Sequence, residues 1–258
     1  MVNGDAISPH HDPPVSAALM RALAAHPEQM ADLVAALGAP VNDADSLVEL
    51  FSQVCAQAVT VIDGAQWAGV TAQLRGRPFT AARTDDVVVA LDERQYSIQD
   101  GPCLQAMRTD AVVVMTVEQA AERWPELVDA ARRVGVRSFL AAPIHLYRRS
   151  VGCLNLYGNG DQPRYDKEAF TVLTEYLDRA VAGYTHHQGG GAESAETGLR
   201  QAVATRRRLQ LAIGILMTIH RCGVGRAREL LGEQARAQGL STGDRAATIV
   251  IEHTSDEA

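Results

Sequence analysis

The residues Leu209 to Ile219 (LQLAIGILMTI) carry only Gln210 and Thr218 as polar side chains, so a helix here is apolar almost all the way round. A helix of that kind cannot lie on a surface. Other elements must wrap it. Upstream, Ala202, Val203, Leu209, Ala212, Ile213 and Leu216 keep helical spacing, which predicts one helix over Leu199–His220 with a polar, basic first half. Cys222–Gly225 reads as a turn. A second helix follows over Gly225–Gln238, with Ala227, Leu230, Leu231 and Ala235 inward and Gly239 as its stop. Ser241, with Asp244 three residues on, has the pattern of a helix start, and Ala246, Ile249 and Val250 form the apolar side of a third helix. The two shorter helices are too brief to stand alone and must pack on the first. A three-helix module over residues 199–254 is therefore expected.

Charge singles out the same segment. It holds nine arginines against Glu229, Glu233, Asp244 and Glu252, a balance of about +5, whereas the whole chain is −7 and the remainder near −12. A basic end on an acidic body suits nucleic acid, because neutralised phosphates supply most non-specific affinity. A solvated helix face would look the same, so charge alone leaves both readings open.

The rest divides by composition. Residues 1–40 begin with a polar stretch and continue, over Val15–Gly38, with apolar residues at helical spacing. Residues 41–184 alternate helix-like and strand-like patterns: a helix over Leu47–Val61, strands at Trp67–Leu74 and Phe79–Arg83, and a helical Val87–Gln95. A break at Gln99–Cys103, a short helix at Leu104–Arg108, a strand at Ala111–Met115 and a helix at Trp124–Val134 follow. Strong strands at Ser138–Ile144 and Val151–Tyr157 precede a long helix at Tyr165–Tyr184. This order predicts an α+β fold with an antiparallel sheet flanked by helices. Residues 185–198 (THHQGGGAESAETG) have a flexible-linker composition and mark the expected domain boundary, although Ala192–Glu196 could extend the following helix backwards into a stalk. In the long helix, Phe170, Leu173, Leu177, Ala180 and Tyr184 recur every three or four residues. That stripe fits either a coiled-coil seam in a homodimer or packing on the domain's own sheet.

Several function classes lack their signatures. No apolar run is long enough to span a membrane, and the N-terminus has no secretory pattern, so a cytoplasmic protein is expected. Cys55, Cys103, Cys153 and Cys222 are too scattered for a metal site, and His10–His11 and His186–His187 lie in polar segments; no metal is expected. There is no phosphate-cradling glycine loop, no HExxH and no nucleophile motif, so the chain is not expected to be an enzyme.

The string from Ala202 to Arg206 followed by LQLAIGILMTIH, then RARELLGEQAR, then DRAATIV resembles the ANTAR domain, the transcription antitermination regulator module. Arg206, Ala212, Gly214, Ile215, Leu216 and Met217 match its first block. Ala227, Leu230 and Leu231 match the second, and Asp244, Ala246, Ile249 and Val250 the last. The chain departs from the family at Ser241–Thr242–Gly243, where a basic residue and a leucine are usual, and at Ile213, where lysine is frequent. The resemblance implies binding of RNA with paired stem-loops, which keeps a terminator hairpin from forming. Arginines can take the phosphates and stack on splayed loop bases. Arg200, Arg206, Arg207, Arg236, Thr242 and Arg245 are the candidate RNA contacts.

Upstream, RSFLAAPIHLYRRSVGCLNLYG resembles the paired strands of a GAF domain, and LDERQYSIQDGPCLQAMRT resembles the middle of GAF domains joined to ANTAR modules in actinobacteria. This implies a sensory or dimerisation domain with a small-molecule pocket over one sheet face. Trp67, Tyr96, Cys103, Leu140 and Cys153 are its candidate lining. No motif identifies the small-molecule signal or any cofactor. Two other readings of the three-helix end stay open: a DNA-binding transcription factor, and a signalling adaptor that binds no nucleic acid. Against the first, the stretch Asp244–His253 offers only Arg245 as a basic reader of bases.

Overall fold

The computed structural model describes residues 41–160, 167–188 and 191–254, preceded by two isolated helical positions, Ala24 and Pro27. The helix expected over Val15–Gly38 otherwise lies outside the described residues. The chain opens with α1 (Ala44–Val61), β1 (Ala65–Ala72), β2 (Phe79–Arg83), α2 (Asp86–Ile98) and α3 (Pro102–Thr109). It continues through β3 (Val113–Thr116), α4 (Val117–Ala120), α5 (Pro125–Arg133), β4 (Ser138–Leu146), β5 (Arg149–Gly158) and α6 (Lys167–His187). Three helices close it: α7 (Gly191–His220), α8 (Val224–Gln238) and α9 (Thr242–Thr254).

The five strands form one sheet in the order β2-β1-β5-β4-β3, and every neighbouring pair is antiparallel. The strand period of two sorts the side chains into two layers. Ala68, Val70 and Ala72 of β1, Leu140, Ala142 and Ile144 of β4, and Leu154 and Leu156 of β5 pack against α1 and α6. On the opposite face, Phe139 and Tyr157 meet α2 and α5, while Ala141 and Cys153 meet α3. α1 starts cleanly because Asp43 caps it, its carboxylate accepting from the Ser46 amide at 2.8 Å. Its residues Leu47, Leu50, Phe51, Val54, Ala58 and Val61 are all buried, as their spacing predicts.

Two open points are decided by packing. Of the two readings of the α6 stripe, packing on the domain's own sheet is the one seen: Phe170, Leu173, Leu177, Ala180 and Tyr184 are all buried in the chain's own core. The segment 185–198 is not an extended linker. α6 runs through His187 and α7 begins at Gly191, with residues 189 and 190 outside the described set. The stalk alternative fits better. The Tyr184 hydroxyl donates to the Ala195 carbonyl at 2.8 Å, pinning the start of α7 on the end of α6.

α7 is 30 residues long, about 45 Å at the helical rise. Ala195, Leu199 and Ala202 are buried in the core of the sheet domain. Ala212 and Leu216 are buried in a separate cluster with Ala227 and Leu231 of α8 and Ala246 and Ile249 of α9. The apolar run is thus wrapped by the two shorter helices. Ser241 caps α9, accepting from the Asp244 amide at 3.0 Å. Leu211 and Ile219 stay 48% and 51% exposed on the side that α8 and α9 leave uncovered.

β4 and β5 are joined by a two-residue turn, Tyr147–Arg148, with φ of 50° and 70°. Both lie in the left-handed region, which costs a non-glycine residue roughly 1–2 kcal/mol, yet the sign matches the twist of the strands. Arg148→Gly is expected to raise stability by about 1 kcal/mol, read as a higher midpoint in urea with an unchanged slope.

Candidate ligand cleft and nucleic-acid interface

The turn between α2 and α3 is fixed by local chemistry. α2 ends at Gln99, with φ of 53°. Gly101 follows with φ of 142°, where a side chain would stand 2.5 Å from Gln95 Oε1, so glycine is required. Pro102 opens α3, and the Cys103 amide donates to Gln95 Oε1 at 2.9 Å. This aims α3 across the sheet. Between α3, the end of α2 and the turn joining β1 to β2 lies an open cleft of about 550 Å³. Pro78, Tyr96, Leu104 and Met107 give it apolar walls, and Arg77 and Arg108 stand at its edge.

Behind Tyr96, the sheet face holds a buried polar cluster in place of an open cavity. Tyr96 and Thr71 share a hydrogen bond of 2.8 Å between their hydroxyls. The Asn155 amide donates to Thr71 at 2.9 Å and to Asp92 at 3.3 Å. Thr80 donates to Asp92 at 2.8 Å, the Tyr157 hydroxyl also donates to that carboxylate, and Gln95 reaches the Tyr157 oxygen at 3.2 Å. Burial pushes the Asp92 carboxyl up to about 6, against the opposing hydrogen bonds from Tyr157, Thr80 and Tyr96. The Cys103 thiol donates to Thr71 at 3.3 Å. Burial pushes the neighbouring Cys153 thiol well up, which disfavours the reactive thiolate.

Of the five residues expected to line a pocket, only Tyr96 reaches the cleft. Cys103 and Cys153 are packed under α3, and Trp67 sits partly buried beside the α2–α5 cluster. Leu140 belongs to the other layer altogether. It pairs with Leu156 and faces the α1 and α6 core. Asp92, Gln95 and Asn155 were not anticipated; their role appears only when the strand register brings Asn155 and Tyr157 over α2.

The candidate RNA contacts separate into two groups. Three are engaged within the molecule. Arg200 donates to Glu196 at 3.0 and 2.9 Å and to the Arg77 carbonyl, and its guanidinium lies 4.0 Å from the centre of the Phe79 ring. Arg206 pairs with Glu49 of α1 at 2.6 Å, and that bond holds the Glu49 carboxyl below its usual range. Arg245 is held by Gln234 at 3.0 Å and Glu252 at 3.3 Å, with only 13% of its side chain exposed. By contrast, Arg207, Arg236 and Thr242 are exposed, and no ion pair engages them among the described residues. Arg208, absent from the sequence-derived set, is exposed as well. A side chain at Gly243 would meet the Thr205 methyl at 3.3 Å. That proximity sets the start of α9, with Thr242, level with the Arg206–Arg208 turn of α7.

The profile of the GAF domain family matches residues 44–182, more than half of the chain. The chain belongs to the GAF domain family. An ANTAR domain follows, matched over residues 197–250. Among solved structures, the GAF domain of an Acinetobacter phosphoenolpyruvate-protein phosphotransferase is similar at 15% identity and a TM-score of 0.45. The match covers 69% of this chain and 98% of that one. The corresponding domain from Coxiella burnetii gives 14%, 0.45, 69% and 99%. A type II free methionine-R-sulfoxide reductase from Thermoplasma acidophilum gives 15%, 0.41, 60% and 96%. No curated protein matches the chain. No helix among the described residues is long and apolar enough to cross a membrane, and none of their His, Cys, Asp and Glu side chains group into a metal site.

The GAF core carries a pH signature. The folded state holds the Asp92 proton more tightly than an unfolded carboxyl near 3.8 would. Its contribution to stability is therefore full below about pH 4 and is lost as pH rises through about 6. Asp92→Asn should remove that component. The melting temperature of the wild type, relative to the variant, is expected to fall between about pH 4 and pH 6 and to level off above that.

Proposed function

We propose that the chain is an RNA-binding transcription antitermination regulator: the ANTAR domain holds RNA stem-loops, and the GAF domain receives a small-molecule signal. The reading is carried by a GAF domain followed directly by an ANTAR domain with exposed arginines outside any ion pair among the described residues. Arg207, Arg208, Arg236 and Thr242 are the proposed RNA contacts. Arg200 and Arg206 can join them only by leaving their carboxylate partners. Sensory and regulatory domains account for the matched segments, so the proposed role is regulatory and non-enzymatic. Its place is the cytoplasm, where nascent transcripts are met. The stretch around Gly101–Pro102–Cys103 supports a kinship with actinobacterial proteins of this architecture.

The DNA-binding alternative loses support from Arg245. The one basic side chain of α9 in a position to read bases is tied to Gln234 and Glu252. Homodimerisation stays in the reading, but the apolar stripe of α6 is buried within the chain and does not supply the seam. One exposed apolar face is that of α7, where Leu211 and Ile219 are open to solvent. In sedimentation, Leu211→Glu with Ile219→Glu is expected to shift the population toward monomer.

The main test is a titration of the full chain against a two-stem-loop RNA and a duplex DNA of equal charge, across salt. RNA should win at moderate salt, and opening the loops should erase the preference. Replacing Arg207 and Arg208 together with alanine should weaken RNA binding and flatten the log–log salt dependence by about 1–2, at roughly 0.9 for each phosphate no longer neutralised. Helical content should not change. Equal binding of both nucleic acids would reduce the result to unspecific attraction, and no binding of either would favour the adaptor.

A further inference from the structure

The turn between β1 and β2, taken with the first residue of β2 as residues 73–79, has two faces with two different neighbours. One face lines the cleft through Gln73, Arg77 and Pro78. The other face holds α7. The Arg75 amide donates to the Glu196 carboxylate, the Arg77 carbonyl accepts from Arg200, and Phe79 lies under the Arg200 guanidinium. Arg75 adds an ion pair to Glu193 at 3.2 Å. The turn is also braced internally, because the Gln73 side chain donates to the Gly76 carbonyl at 2.8 Å. Gly76 itself has φ of 77°, and a side chain there would stand 3.3 Å from Glu196 Oε1. Such a turn cannot shift on one face without shifting on the other.

The cleft's chemistry indicates what could fill it. Among the lining residues there are two arginines and no carboxylate, in a chain whose net charge is −7. The Arg77 guanidinium has no ion-pair partner among the described residues. Arg108 shares Asp100 with Arg123, two cations on one carboxylate, so the edge keeps positive charge. Burial works to raise the Asp100 carboxyl, but its hydrogen bond with Arg108 and the Arg108 charge hold it well below the usual range; it stays ionised and is already paired. Leu104, Met107, Pro78 and the Tyr96 ring supply an apolar wall beside these charges. A volume of about 550 Å³ suits a small organic molecule.

We propose that this cleft binds a small amphipathic carboxylate, its charge between Arg77 and Arg108 and its apolar body against Leu104 and Met107, and that filling it strengthens the turn's hold on α7. The first half names the class of the signal proposed for the GAF domain, and it rests on that reading. The second half follows from linkage. A ligand that binds the arrangement with α7 docked stabilises that arrangement over one with α7 released.

The test uses the full chain with octanoate and 4-phenylbutyrate as probes and their neutral amides as controls. Calorimetry should show binding of at least one carboxylate, with its amide about tenfold weaker, the factor expected when one charge interaction of roughly 1.4 kcal/mol is removed. Arg77→Gln should weaken binding by about the same factor while its melting temperature stays at the wild-type value. Hydrogen exchange at residues 193–203 should slow on adding the carboxylate to the wild type and stay unchanged in Arg77→Gln. Binding of neither carboxylate, or equal binding of acid and amide, overturns the ligand class. Tight binding with no change in exchange over 193–203 overturns the coupling to α7. None of these measurements uses RNA, so a failure of the antiterminator reading would appear separately, in the titration against stem-loops.

Discussion

The architecture depends on a single helix having two cores. The first half of α7 completes the α1–α6 layer of the sheet domain with Ala195, Leu199 and Ala202, and its second half is the centre of the ANTAR domain through Ala212 and Leu216. Neither partner could release it without exposing apolar surface, at about 25 cal/mol per Å². A continuous helix has no free joint between these two attachments. Displacement at one end must appear at the other, as translation or as rotation of about 100° per residue of slip. This makes the contacts along its first half more than docking. They set where the ANTAR domain is held.

The rim of those contacts is electrostatic. Glu196 accepts from both Arg75 and Arg200, and Arg206 reaches Glu49. Partly exposed pairs of this kind contribute little net stability each, so their hold is easily changed. The apolar residues beneath them keep the helix in place, and the charged rim tunes how firmly. The cleft on the far side of the 73–79 turn stands next to the adjustable part.

Much of this was legible in the sequence, for physical reasons that can be named. The run Leu209–Ile219 had to be wrapped, and it is, by α8 and α9. The Gly101–Pro102–Cys103 tripeptide announced a break because positive φ and a proline at a helix start are local requirements. What could not be read depended on register. β5 alternates Leu154 and Leu156 with Cys153, Asn155 and Tyr157, so its two faces were visible. Which face of β4 joined them was not, and Leu140 was placed with the wrong set. Asp92 lies in a polar stretch of α2 with nothing to mark it as buried; its partners Tyr157, Asn155 and Thr80 come from distant strands. The Gly189–Gly191 triplet suggested flexibility by composition, yet Gly191, with φ of 75°, starts a helix. The arginines misled in a similar way. Charge pattern showed that a basic surface existed, but the partners of Arg200, Arg206 and Arg245 were set by the tertiary fold.

The pairing of Arg206 with Glu49 has a consequence for how affinity should respond to ionic strength. A phosphate neutralised by an arginine sets loose the cations condensed on the nucleic acid, with a gain in mixing entropy. Here the counter-charge is a carboxylate fixed to the same chain. If a nucleic-acid phosphate replaces Glu49 on Arg206, one bound anion replaces another and no mobile ion escapes from the protein side. A guanidinium whose counter-ion is built in thus competes on geometry, by which acceptor fits its fork better, and the surrounding electrolyte acts on both sides of that exchange.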